Sequence, residues 1–291
     1  MKTTIKDLLA AAALLSLAAC DKFSGTSREI TITAAIGPQT KVATTGNQSD
    51  FESGDQIAVY AWTNSKTTIP ASPMVNGVVN TFDGDKWTPA APMRWADEAS
   101  IHYFLGLWPV QTVTVFKAHP YTLDPADQAA SDLLVATNLE GLLSSESSVE
   151  LVFDHMMAKL KVNLAFKNQW ETAPTVASVT ATAKKTATVD LLAKAVTATG
   201  DAVKVDLAKT DNASWAGLQV PQEGMKTVTV TIDSQAFVYT HGESIPLASG
   251  KVTTLNLLLG RDTIELASDI SIADWTSQGD DLNGKIFKPT E

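Results

Sequence analysis

Cysteine, histidine and basic residues are scarce in this sequence, and each scarcity excludes a class of site. A single cysteine among 291 residues rules out an internal disulfide and any cysteine cluster for zinc or iron–sulfur centres. The four histidines stand apart at positions 102, 119, 155 and 241, which does not indicate a histidine metal cage. With 22 basic against 32 acidic residues, the net charge of −10 disfavours binding to phosphate backbones. We expect no metal, no cofactor and no nucleic-acid partner.

Catalytic motifs are also missing. The sequence contains no Gly-x-Ser-x-Gly elbow, no His-Glu-x-x-His, no phosphate-binding loop and no dinucleotide fingerprint. Acidic stretches at 83–85 and 279–281 resemble weak calcium loops, but neither completes an EF-hand pattern, so solvated turns are favoured. The sequence predicts no catalytic, cofactor-binding or metal-binding residue, and we expect no enzymatic activity.

The N-terminus carries a secretion signal. Lys2 and Lys6 precede an apolar run at 8–17, which is too short to span a bilayer as a mature helix. The ending Leu-Ala-Ala19-Cys20 resembles a bacterial lipobox, which implies cleavage between Ala19 and Cys20 and lipidation of Cys20. Two or three acyl chains would hold the protein on a membrane, because each buried methylene contributes about 0.8 kcal/mol. The alternative is that Cys20 is a buried thiol.

Beyond a polar tether at 20–28, apolar and polar residues alternate with a period of two. Such alternation, rich in Val, Ile and Thr, is typical of half-buried strands, and Gly, Asn and Asp turns separate the runs, as at 199–201. The predicted strands are 29–36, 56–62, 112–116, 149–153, 159–166, 176–182, 186–191, 202–207, 226–232, 236–240 and 252–259. Only 124–131 and 267–274 have a helical pattern.

The fold class predicted from this pattern is all-β, with two tandem antiparallel β-sandwich domains. The segment 168–174 follows a long strand and precedes a new alternating series, so we place the boundary there. The expected organisation is a signal peptide at 1–19, the tether at 20–28, an N-terminal domain at 29–168 and a C-terminal domain with its tail at 169–291.

A fixed order of motifs runs through residues 29–276. They are Phe51-Glu-Ser-Gly54-Asp55-Gln-Ile57-Ala-Val59-Tyr60, then Trp95 and Trp108-Pro109, then 132–136, then Leu151-Val-Phe153-Asp-His155-Met-Met-Ala158-Lys159-Leu160, and finally 250–259 and a segment ending at Trp275. This series resembles the fimbrillin (Mfa-like) family of type V pilin-like proteins. The resemblance implies two transthyretin-like domains, a palmitate-type lipid anchor in the cell outer membrane, and pilus subunits that assemble by strand exchange.

The motif residues themselves indicate structural roles. Gly54 and Asp55 are expected to form a turn, while Phe51 fills the core. His155, flanked by apolar residues, is expected to be a hydrogen-bonded structural histidine and not a metal ligand.

Two functions of different class remain open. One is a fimbrial structural, anchor or accessory subunit, with other fimbrial subunits or further copies of itself as partners. The other is a surface lipoprotein that binds carbohydrate or a host ligand through exposed tryptophans. Trp62, Trp87, Trp170 and Trp215 are the candidates for such stacking platforms. Exposed coplanar tryptophans would favour the second function, and an apolar groove covered by one removable strand would favour the first.

The resemblance also implies proteolytic processing. In polymerising family members a protease cuts after the first strand, and Lys41 occupies that position here. Strand 29–36 is then the removable strand, which we expect to be a central one, and residues 283–289 are the expected donor although Pro289 interrupts them. A cut at Arg28, ahead of the strand, would free the protein from its lipid without opening a groove.

Overall fold

A computed structural model describes residues 28–37, 51–145 and 148–275. Within these ranges almost every element is a β-strand, and the one helix has four residues. The prediction of an all-β chain with two β-rich parts is confirmed. The elements are β1 (Ile32–Ile36), β2 (Gln56–Thr63), β3 (Val75–Phe82), β4 (Trp87–Pro89), β5 (His102–Trp108), β6 (His119–Thr122), α1 (Gln128–Ser131), β7 (Leu134–Leu142), β8 (Val149–His155), β9 (Ala158–Phe166), β10 (Val176–Asp190), β11 (Ala195–Lys209), β12 (Ser214–Gln219), β13 (Thr227–Ile232), β14 (Gln235–Thr240), β15 (Lys251–Leu259), β16 (Ile264–Leu266) and β17 (Ser271–Asp274).

The first sheet has seven strands in the order β1-β8-β7-β5-β2-β3-β4. All neighbours are antiparallel except β1 and β8, which run parallel. Residues 28–30 continue the chain of β1 in the N-terminal direction and pair with the segment 93–95, as shown by an isolated bridge between Glu29 and Arg94. This pairing links the two ends of the sheet.

The second sheet has ten strands. Its main order is β14-β13-β10-β11-β12-β9-β15-β16, with β17 pairing β15 and β6 pairing β10. The hairpin of β10 and β11 has fifteen residues in each arm, and its tip reaches the first sheet. There Lys194 forms an ion pair with Asp154 of β8 over 2.7 Å.

The chain crosses from the first sheet to the second at Met156 and Met157, between β8 and β9. Strand β9 pairs with β12 and β15, so it is part of the second sheet. The boundary expected after residue 168 therefore lies one strand later than the crossing. In the other direction, β6 leaves the first half of the chain and extends the second sheet through β10.

The core forms two clusters that share the strands of the first sheet. One face of β2 contributes Ile57 and Val59 to a cluster with β1 and β8. The other face contributes Tyr60 and Trp62 to a larger cluster that continues through the second sheet. Both faces of β2 are therefore buried, as its exposure pattern shows.

Three local predictions were wrong. Residues 112–116 form no strand and lie in the connection between β5 and β6, where Phe116 packs edge-on against Tyr60 with centroids 5.1 Å apart. The segment 267–274, predicted as helical, ends in strand β17, which pairs with β15. The turn predicted at 199–201 is an irregularity inside β11, where Gly200 has φ of 72° and the register shifts.

Candidate functional site

Strand β1 lies on β8 at one edge of the first sheet. The parallel register pairs Ile32 with Val149 and Ile36 with Phe153. Backbone hydrogen bonds hold both ends of the ladder, from Val149 N to Thr31 O and from Gly37 N to Phe153 O, each 2.8 Å long. In the sheet order β1 is an edge strand, which corrects the expectation that it is central.

The inward side chains of β1 fill the core. Ile30, Ile32, Ala34 and Ile36 are all buried, and they contact the cluster that contains Phe153. A buried isoleucine side chain contributes about 1.5–3 kcal/mol relative to an exposed one. The strand is therefore an integral part of the core, although its backbone ladder joins it to a single named strand.

The N-terminal end of β1 is fixed by side chains. Arg28 Nη1 donates a 2.7 Å hydrogen bond to the carbonyl of Ser144. Glu29 pairs with Arg94 at 3.2 Å, but both side chains are largely solvent-exposed, so this pair contributes little. After Gly37 the chain leaves the described residues and re-enters them at Phe51, so Lys41 lies outside the described residues.

The C-terminal end of β8 carries a buried polar cluster. His155 Nδ1 lies 2.9 Å from Asp132 Oδ1, and the two side chains are 2% and 0% exposed. The ring of Trp275 stacks on His155 with centroids 3.8 Å apart and planes 5° apart. The ammonium of Lys159 lies over the face of the same indole, 5.5 Å from the ring centroid, where a cation is attracted to the π electrons. The cluster joins β8, β9 and the last described residue of the chain.

A small pocket opens beside this cluster. Its volume is about 290 Å³, and its walls include Gly37, His155 and Trp275. Lys194 and Lys251 also line it, and each is paired with a carboxylate, Asp154 and Asp274 respectively. The end of β1 and the end of the described C-terminal chain therefore meet at one place.

A sequence model of the fimbrillin-like family matches residues 40–275, which is most of the chain. The chain belongs to the fimbrillin-like family. Among proteins with curated functions, none matches it.

Solved structures share the fold of this fimbrillin-like chain. A candidate cell adhesion protein from Bacteroides ovatus superposes with a TM-score of 0.68 at 16% identity, over 87% of this chain and 99% of that one. A second, from Bacteroides uniformis, gives 0.63 at 18% identity over 78% and 94%. A fimbrial protein from Bacteroides vulgatus gives 0.53 at 13% identity over 86% and 100%. At these identities the likeness shows the fold alone.

The motif residues of the fimbrillin-like chain lie in the first sheet or at the junction. Phe51 is buried, with its ring edge-on to Trp87 at 5.1 Å and to Phe153 at 5.5 Å. Gly54 has φ of 99°, and Asp55 Oδ2 accepts a 2.7 Å hydrogen bond from the amide of Glu52, which closes the predicted turn. Trp95 is buried, with its ring edge-on to His102 and Phe104.

Asp132 and Lys159 were not predicted as parts of a site. A carboxylate directly before the apolar run 133–136 was the available signal for Asp132, because a buried acid needs a partner. Sequence could not identify His155 as that partner, since 23 positions separate the two residues.

The tryptophans offer little surface for stacking. Trp62, Trp87 and Trp215 are buried, with exposures of 1%, 8% and 4%. Trp170 is half-buried, and the guanidinium of Arg261 lies 5.5 Å from the centroid of its ring. None of the four candidates forms an open coplanar platform.

Residues 28–37, 51–145 and 148–275 contain no group of three or more His, Cys, Asp or Glu side chains that could hold a metal ion. Asp83 Oδ1 instead accepts hydrogen bonds from the amides of Asp85 and Lys86, and these bonds lower the pKa of Asp83. The second acidic stretch, at 279–281, lies outside the described residues. The same ranges contain no helix with the length and apolar character of a membrane span.

Proposed function

We propose that this fimbrillin-like protein is a fimbrial structural, anchor or accessory subunit that assembles by β-strand complementation. The observation that carries the proposal is the position of β1, a buried edge strand that pairs along its length with β8 alone. The described part of the chain around β1 ends at Arg28 on one side and at Gly37 on the other. The work of such a subunit is strand pairing, and no catalytic step is needed.

The groove left by β1 would be a strong acceptor for another strand. Removal of β1 would uncover Val149, Leu151 and Phe153, which are now fully buried, and leave one edge of β8 unpaired. Each buried backbone group without a partner costs about 1–3 kcal/mol. A donor strand that restores the ladder and refills the core would therefore bind tightly.

The proposed donor and the proposed cut are sequence assignments. A cut after Lys41 would separate β1 from the chain that begins at Val42, and residues 283–289 of another subunit would replace it. Arg28 is the second candidate cut, but its backbone carbonyl accepts a hydrogen bond from Trp95 and its side chain bonds to Ser144. If Lys41 is not cut, the protein serves as a non-polymerising anchor.

A lipid anchor at the N-terminus would attach the subunit to the membrane. The signal peptide 1–19 and Cys20 lie outside the described residues, and lipidation of Cys20 after cleavage at Ala19 would place the protein at the outer membrane and cell surface. The partners would be other fimbrial subunits or copies of this chain. Binding of a host or glycan ligand is the alternative, and the burial of the candidate tryptophans makes it the weaker one.

Trypsin treatment of the pure precursor tests the assembly route. We expect a product that begins at Val42 and forms SDS-resistant ladders, since trypsin cleaves after lysine and the uncovered groove then accepts a donor strand. The product is identified by N-terminal sequencing and the ladder by gel electrophoresis.

Matched variants show which cut and which donor segment produce the ladder. Lys41→Gln should abolish the ladder, Arg28→Gln should keep it, and deletion of 276–291 should give a Val42 product that stays monomeric. A full-length Val42 product that remains monomeric would contradict strand complementation and favour an anchor or a ligand-binding lipoprotein.

A further inference from the structure

Strand β8 connects the removable strand to the C-terminal chain. Phe153 pairs with Ile36 and accepts the hydrogen bond from Gly37 N. Two residues later on the same strand, His155 stacks on Trp275. Gly37 and Trp275 line the same pocket, so the residue after β1 and the last described residue both lie beside the end of β8.

Trp275 depends on that support for its position. Its amide donates a 2.9 Å hydrogen bond to the carbonyl of Gly250, and its ring contacts both the imidazole of His155 and the ammonium of Lys159. Its indole Nε1 is buried and has no hydrogen-bond partner among the described residues. A buried donor without a partner costs about 1–3 kcal/mol, so release into water would recover that energy. The ring stays buried because the stacking geometry is maintained.

The stacking geometry in turn depends on β8. His155 is oriented by Asp132 and by the ladder that pairs it with Leu134 of β7. On the other side of β8 the ladder ends with the bond from Gly37 to Phe153. If β1 leaves, β8 becomes the edge of the sheet, and edge strands fray first at their ends.

We propose that β1 and Trp275 are coupled through β8, so that loss of β1 releases Trp275 from His155. This deepens the strand-exchange proposal and rests on it for its biological role. Opening of the acceptor groove and release of Trp275 would then occur in the same subunit, in that order.

Hydrogen exchange in the monomeric full chain tests the coupling. Ala34→Asp places a charge in the core beneath β1 and should displace the strand. Thr33→Ser changes an exposed side chain of the same strand and keeps the hydroxyl that donates to the carbonyl of Val149. Coupling energies between sites correspond to changes of about 5-fold or more. We expect the amide of Trp275 to exchange at least about 5-fold faster in Ala34→Asp and at an unchanged rate in Thr33→Ser.

The reciprocal variant, Trp275→Ala, keeps the coupling testable even if Ala34→Asp unfolds the protein. Coupling is symmetric, so Trp275→Ala should speed exchange at the amides of Gly37 and Val149, while Ile272→Ala, at an exposed side chain, should not. If Ala34→Asp speeds exchange in every strand, Trp275→Ala decides the question. Unchanged exchange at Gly37 in that variant, or at Trp275 when β1 alone is displaced, would overturn the coupling. Because both readouts use monomers, a failure to polymerise would contradict the assembly proposal and leave this result standing.

Discussion

Gly106, on β5, lies next to two side chains of β8, a strand of the same sheet. A Cβ atom at this position would lie 2.6 Å from Phe153 Cζ and 3.1 Å from Leu151 Cδ1. Both residues also support β1 through the parallel ladder. The absence of a side chain at Gly106 thus leaves room for the side chains of Phe153 and Leu151.

Replacement of this glycine should destabilise the protein. Gly106→Ala should lower the free energy of unfolding by about 1–3 kcal/mol, because the added methyl group must displace a packed aromatic ring. Gly242→Ala is the matched control, since no heavy atom lies within 4 Å of a Cβ there. Urea unfolding followed by circular dichroism measures both, and equal stabilities would show that Phe153 adapts without cost.

At the residue scale, sequence predicted local roles well and partnerships poorly. The turn at Gly54 and Asp55 and the buried hydrogen-bonded His155 follow from side-chain chemistry and short-range spacing. The contact of His155 with Trp275 spans 120 positions of sequence, and its geometry arises only when the sheets are assembled.

Among the elements, the period-two pattern predicted β8 and β9, and also β2 although both of its faces are buried, whereas β5 was missed. Strands β8 and β9 alternate in burial and matched the period-two pattern. Strand β5 is buried on both faces, so its sequence does not alternate and gave no signal. Strand β17 lies in a segment that was predicted as helical. It forms a strand because its pairing with β15 overrides a weak local preference in so short a segment.

Strand β6 lies in the chain between two strands of the first sheet but pairs with the second sheet, so it connects the two. It pairs with β10, and Tyr121 in its middle donates a 2.5 Å hydrogen bond to the carbonyl of Ser131. Burial, with a smaller effect from the charge of Asp132, raises the pKa of Tyr121, so the phenol keeps its proton and remains a donor. The bond ties β6 to α1, directly before Asp132.

Loss of this hydroxyl should weaken the attachment of β6. Tyr121→Phe should lower the free energy of unfolding by about 0.5–1.5 kcal/mol, because it removes one of the two hydrogen bonds to the Ser131 carbonyl and leaves the one from the Leu133 amide. In Tyr103→Phe the effect should be smaller, because the Tyr103 hydroxyl has no hydrogen bond within the described parts of the chain. Chemical denaturation of the two variants side by side measures the difference, and equal losses would contradict a specific role for the bond.

At the scale of the whole molecule, the two sheets are joined at several points. The exchange of β6 and β9 between halves of the chain, the ion pair of Lys194 with Asp154 and the shared core all link them. In the proposed assembly, these links connect the acceptor groove of a subunit to Trp275, which precedes the proposed donor residues 283–289. Sequence predicted two β-rich parts but not these links, because pairing between distant strands leaves no local pattern.

Hydrogen exchange along β8 tests the central claim most directly. The amides of Val149, Leu151 and Phe153, which face β1, should be protected in the intact protein, become exposed in the monomer cut after Lys41, and regain protection in the polymer. A donor strand that takes the place of β1 predicts this sequence of states, because only pairing on the freed edge restores the ladder. Protection that survives removal of β1, or exposure that persists in the polymer, would contradict strand complementation at this groove.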